Sequence, residues 1–185
     1  MILSPSEKSS LITLAHCAIE ERHGIQGRRS SVNPGDLPES LRCGVFVSVY
    51  SGNELKGCIG TFSEDELLTR NTEQMAISAA FLDSRFDSLT EQQLSEMIIE
   101  ISVLSPRERI VDPSQIELGR HGIIIQKGSC RGTFLPQVAI RQGWDKEEFL
   151  GNCSKHKAGI GWDGWRTAEI FTYEATVFSS VDYPP

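Results

Sequence analysis

Glycine occupies the interior of two segments that otherwise read as β-strands, Leu55 to Gly60 (LKGCIG) and Arg131 to Val138 (RGTFLPQV). A glycine there weakens a strand unless the backbone must bend or another group must come close, so both strings are candidate site-building segments. The punctuation around them is that of hairpins. Val45, Val47 and Val49 alternate with Phe46, Ser48 and Tyr50, Gly52 and Asn53 supply turn chemistry, and Leu55 begins the return strand. Ile123 to Lys127, a turn at Gly128 and Ser129, and Arg131 to Leu135 make a second hairpin.

Helical signals separate these hairpins. Ser4 and Glu7 form a capping box with Pro5 at the first helical position, and the run to Arg22 closes at Gly24. Gly27 to Arg42 has neither period and reads as a long surface loop. Leu67 to about Leu82 carries helical spacing, Ile99 to Val103 alternates as a strand closed by Pro106, and Asp112 with Pro113 caps a short turn. Asp145 caps a helix from Lys146 to about Lys155, and Ile170 to Phe178 is a final strand with Phe171, Tyr173, Ala175 and Val177 on one face. Hairpins alternating with helices, without repeated strand-helix-strand units, predict an α+β fold with a mostly antiparallel sheet and flanking helices. A chain of 185 residues is expected to form a single domain.

The formal net charge of −7 provides no electrostatic footprint for a phosphate backbone or an anionic membrane and disfavours nucleic acid as a partner. Arg28 with Arg29, and the run Lys155, His156 and Lys157, read as solvated surface. The start of the chain lacks the pattern of a signal peptide, and no apolar run is long enough to span a bilayer. The five cysteines lack CxxC spacing, which argues against a disulfide framework and a zinc knuckle and for a reduced, cytoplasmic protein. Cys153 and His156 stand one helical turn apart, but two ligands do not make a metal site, and no metal is expected. Trp144, Trp162 and Trp165 read as anchors of a C-terminal core.

Strand parity places Lys56, Cys58 and Gly60 on one face. An ammonium near a thiol favours the thiolate, the nucleophilic form. A register set by the Gly52 and Asn53 turn instead puts Cys58 opposite Val47, an apolar surface that favours the neutral thiol. Cys58 is therefore either a nucleophile or a small buried hydrophobe. No histidine lies close to it in sequence, and His121 is a base only if the fold brings it near. In the second hairpin a three-residue turn would set Lys127 opposite Arg131, a like-charge pair that an anion between them would relieve; a four-residue turn removes the conflict. Thr133 and Gln137 could add hydrogen bonds to such a ligand, and Gly132 would admit a close backbone approach.

LKGCIG, then Asp83 to Phe86 (DSRF), Ile99 to Pro106 (IEISVLSP), RGTFLPQV and Gly143 to Asp145 (GWD) resemble, in order and spacing, the family of the AMME syndrome chromosomal region candidate protein, over about 43–178. The resemblance implies a larger and a smaller subdomain flanking a cleft. It also implies work beside Memo-like and radical SAM proteins, as the A component of the prokaryotic AmmeMemoRadiSam system, with no assigned reaction. Lys56 stands where the family usually has arginine, which removes a two-pronged grip on an anion, and Ser84 stands where proline is common. Cys153 inherits no role. The expectation is a cleft built from the two hairpins that binds a small anionic ligand or a partner segment. Cys58 is its candidate catalytic residue, and Lys56, Gly57, Gly60, Arg131, Gly132, Thr133 and Gln137 are its candidate ligand contacts. The alternative is a noncatalytic regulatory scaffold linked to transcription or translation, in which both strings serve packing. The sequence leaves enzyme and scaffold both open and names no cofactor.

Overall fold

Alternating valines and isoleucines build the first sheet. A computed structural model describes residues 3–26, 32, 34–38 and 40–185; the expected Arg28 and Arg29 pair lies outside the described residues. The chain divides into a larger unit, Met1–Leu104 with Thr176–Pro185, and a smaller one, Ser105–Ala175.

In the larger unit β1 (Val45–Ser51) lies between β2 (Glu54–Thr61) and β3 (Met97–Leu104), antiparallel to both. Val45, Val47 and Val49 face Val103, Ile101 and Ile99 in register, and all six are fully buried. Period-two patterning fixes this register, because a one-residue slip would turn every one of these side chains to the opposite face. Helix α1 (Pro5–Arg22) begins at the capping box, with the Ser4 hydroxyl accepting from the Glu7 amide and the Glu7 carboxylate accepting from the Ser4 amide. Its residues from Ser10 through Ile19 are all buried, and Thr13 answers its own polarity by donating to the Ser9 carbonyl at 2.9 Å. Helix α2 (Leu68–Phe81) adds Leu68, Ala76, Ala79 and Ala80 to the same core.

In the smaller unit β7 (Glu169–Ser179) carries β4 (Glu108–Ile110) on one side and β5 (His121–Lys127) on the other, and β5 pairs onward with β6 (Cys130–Phe134), all antiparallel. The turn between β5 and β6 has two residues, Gly128 and Ser129, with Gly128 at a φ of 60°. A glycine at the first turn position matches the right-handed twist of the flanking strands. Helix α3 (Pro136–Gln142), helix α4 (Lys146–Asn152) and a π-helical turn at Cys153–Lys157 enclose a core of Ile123, Ile125, Phe149, Leu150, Cys153 and Trp165.

Several expectations shift. The second string is not a strand throughout: Leu135 caps α3, Pro136 opens it, and Gly143 ends it in the left-handed region at a φ of 67°. In β7 the buried set includes Ile170, Thr172 and Phe178 together with Tyr173, while Val177 is exposed. Ile170 fills the core of the smaller unit and Phe178 that of the larger, so the strand's two ends follow these anchors rather than the alternate set. Trp165 and Trp144 are core anchors as expected, whereas Trp162 is 38% exposed with its ring laid over Gly151.

Helix α2 sits so close to β2 that a Cβ on Gly57 would fall 1.8 Å from the Ala79 carbonyl oxygen. Backbone against backbone cannot yield as a flexible side chain can, so Gly57→Ala is expected to cost about 3 kcal/mol or more. Gly128→Ala meets open space and is expected to cost only the left-handed backbone penalty of about 1 to 2 kcal/mol. Urea denaturation of the two variants checks this order.

Candidate functional site

The first string lies on the outer strand of its sheet, and its register carries a bulge. Tyr50 faces Leu55 but Val49 faces Gly57, so Lys56 is passed over and every later pair moves by one. Cys58 therefore faces Ser48, not Val47 as the unbroken turn register predicts. The Ser48 hydroxyl donates to the Cys58 sulfur, with Oγ and Sγ 3.2 Å apart. The close contact fits a pair that is not hydrogen-bonded through the backbone, where facing side chains approach most closely. Lys56 pairs with Glu54 at 2.9 Å, and its side chain is only 13% exposed.

Such a pairing turns the main-chain N–H and C=O of Cys58 away from β1, toward the open side of the sheet. Both find partners in the DSRF segment that follows α2. The Cys58 amide donates to Asp83 Oδ2 at 2.9 Å, and Arg85 Nη2 donates to the Cys58 carbonyl at 2.9 Å. Arg85 also grips the Asp83 carboxylate through Nε at 2.9 Å and Nη2 at 2.7 Å. Asp83 has 5% of its side chain exposed and Arg85 63%. The Arg85 hydrogen bonds first, and the Cys58 amide second, hold the Asp83 carboxyl well below the usual carboxylate range, against its burial. Cys58 itself is half-buried.

The glycines of this string have local packing reasons. Gly57 admits the Ala79 carbonyl, and Gly60 lies under the ring of its cross-strand neighbour Phe46, where a Cβ would come within 2.2 Å of the ring.

The second string is organised separately within the smaller unit. The two-residue turn puts Lys127 opposite Cys130 and Arg131 opposite Gln126, so the facing Lys127 and Arg131 pair does not form. Lys127 donates to the Thr167 hydroxyl at 2.8 Å. Arg131 is exposed on β6. Gly132 is covered by the π-helical turn, with the Ala158 nitrogen 2.4 Å from where a Cβ would stand. Thr133 donates to the Ile123 carbonyl at 2.8 Å and lies 3.1 Å from the Tyr173 hydroxyl, which in turn bonds the Phe134 carbonyl. Burial pushes the Tyr173 phenol up. Gln137 stands in the first turn of α3, half-buried.

No group of three or more potential metal ligands occurs among the described residues. Cys153 is buried in the smaller core, and that burial pushes its thiol up to about 12, so the spacing to the exposed His156 does not mark a surface pair. His121 holds the Glu117 amide on Nδ1 at 3.1 Å. Hollows of about 490 Å³ beside Trp165 and about 320 Å³ between α1 and α2 are lined by residues outside both strings. No described helix is long and apolar enough to cross a membrane.

Asp83, Arg85 and Ser48 are the residues the sequence did not single out for a role. Their signal was an acid and a base two positions apart just past a helix end, and a serine among β1 valines.

A family model described as AMMECR1 matches residues 12–178. The chain belongs to the AMMECR1 family. Family relatives include proteins of Thermofilum pendens, 37% identical over 95% of this chain and 91% of theirs, and of Methanothermobacter thermautotrophicus, 38% identical over 95% of both. The crystal structure of the uncharacterized protein PH0010 from Pyrococcus horikoshii superposes with a TM-score of 0.78 at 33% identity, covering 94% of this chain and 92% of that one. The α+β architecture of antiparallel sheet and flanking helices is thus shared with that solved structure.

Because the folded-state carboxyl of Asp83 lies below its unfolded value of about 3.9, its contribution to stability is complete above that value and is lost as pH falls toward the folded value. Stability of the native chain is expected to drop on acidification below pH about 4, and Asp83→Asn to drop less steeply there while remaining offset at neutral pH. Urea midpoints across that pH range check the two slopes.

Proposed function

We propose that this chain is the binding component of a multi-protein modification system, and that β2 presents the Cys58 thiol to an anionic ligand or to a segment of a partner protein. One observation carries the reading. A half-buried thiol that accepts a hydrogen bond from Ser48 sits on a backbone whose N–H and C=O are both fixed by the Asp83 and Arg85 pair. Rigid placement of a reactive group by a supporting shell is what binding and transfer chemistry require. Arg85, largely exposed, donates to the Cys58 carbonyl and is the cation of this reading, whereas Lys56 is paired with Glu54. In the smaller unit Arg131 and Gln137 are the proposed ligand contacts, with Gly132 and Thr133 fixing the strand that carries Arg131. The family resemblance supplies the class of partner, Memo-like and radical SAM proteins, and the scattered cysteines without CxxC spacing support a cytoplasmic setting.

The noncatalytic scaffold has its own support in Gly57 and Gly132, whose absent side chains are explained by the Ala79 carbonyl and the Ala158 amide alone. Native-state alkylation separates the readings. In a Cys130→Ser background that removes the exposed thiol, Cys58 is expected to label in the folded protein within about tenfold of an unstructured cysteine. Cys58→Ser and Arg131→Gln are expected to abolish association with a Memo-like or radical SAM partner, read by calorimetry, without lowering the melting temperature. Labelling only on unfolding, with variants that lose stability but bind normally, would establish the scaffold.

A further inference from the structure

An edge strand exposes a row of backbone donors and acceptors on which another chain can pair. β2 is such an edge: among the described residues of the larger unit it pairs with β1 alone. From Leu55 to Thr61 it contains one charged residue, Lys56, and no proline, a composition that invites strand addition. Lys56 sits at the bulge near the turn, leaving the stretch around Cys58 uncharged.

We propose that Asp83 and Arg85 form an edge guard that keeps β2 of one molecule from pairing with β2 of a second copy of this chain. A neighbouring strand would offer Cys58 a carbonyl for its amide and an amide for its carbonyl. The guard supplies both from side chains: a carboxylate oxygen at 2.9 Å from the amide and a guanidinium nitrogen at 2.9 Å from the carbonyl. No second backbone can reach Cys58 while they are in place. Asp83, almost fully buried, is the fixed half, and Arg85, largely exposed, is the half that can leave. Ser84 between them is exposed as well, so the guard hangs on the surface of the sheet rather than inside a core. Opening it exposes a self-complementary surface, since two copies of β2 can pair antiparallel about a two-fold axis. The function of this device is independent of whether Cys58 reacts.

The test is light scattering on the full chain with reductant present throughout. Arg85→Ala, which removes a mostly exposed side chain, and Asp83→Ala are each checked for native circular dichroism. Both are expected to associate with rising concentration toward the mass of two chains, while the native chain and Arg85→Lys, whose ammonium still donates to the carbonyl, stay monomeric. Hydrogen exchange at the Cys58 amide is expected to accelerate by about tenfold in monomeric Asp83→Ala and to slow again as the dimer forms. If Asp83→Ala fails to fold, Arg85→Ala decides alone. A folded Arg85→Ala that stays monomeric up to about 1 mM overturns the proposal.

Discussion

An unpaired amide and carbonyl at Cys58, answered by one carboxylate and one guanidinium, are the constraint around which the larger unit is arranged. Asp83 can reach β2 only because α2 ends where it does, and α2 lies where it does because Gly57 lets the Ala79 carbonyl touch the strand. The bulge at Lys56 belongs to the same arrangement. It sets the parity by which Cys58 turns its backbone outward and its sulfur toward Ser48. Without that extra residue the two hydrogen bonds to the DSRF segment would meet a residue of opposite orientation.

Much of this architecture was legible in the chain. The capping box at Ser4 and Glu7, the alternating valines of β1 and the glycine-led turns at Gly52 and Gly128 are local signals, and each stands where the pattern put it. What stayed hidden depends on distant contacts. The register of Cys58 is decided by a bulge beside Gly57, which meets the Ala79 carbonyl of α2, and the partners of the Cys58 backbone are 25 and 27 positions away. Helix α3 was readable from Pro136 and Gly143, but seven residues are too few for a helical period to compete with the strand-like RGTF before it. The glycines inside the two strings do mark close approaches. Those approaches are made by the protein's own backbone and rings at Ala79, Phe46 and Ala158.

The smaller unit solves its polar problems differently. The hydroxyls of Thr133 and Tyr173 form a chain that ends on the Ile123 and Phe134 carbonyls, so these two side chains satisfy one another and the strand backbone. Family membership extends over nearly the whole chain. The two thiols that burial pushes up to about 11 and about 12, Cys43 and Cys153, are thereby made poor nucleophiles at neutral pH.

Strand β7 contributes to two cores, with Ile170 in that of the smaller unit and Phe178 in that of the larger. Around each anchor successive residues face opposite sides of the strand, so a one-residue slip in pairing beside Ile170 or beside Phe178 would turn that anchor out of its own core. Length drift in this family should therefore be confined to its connecting segments.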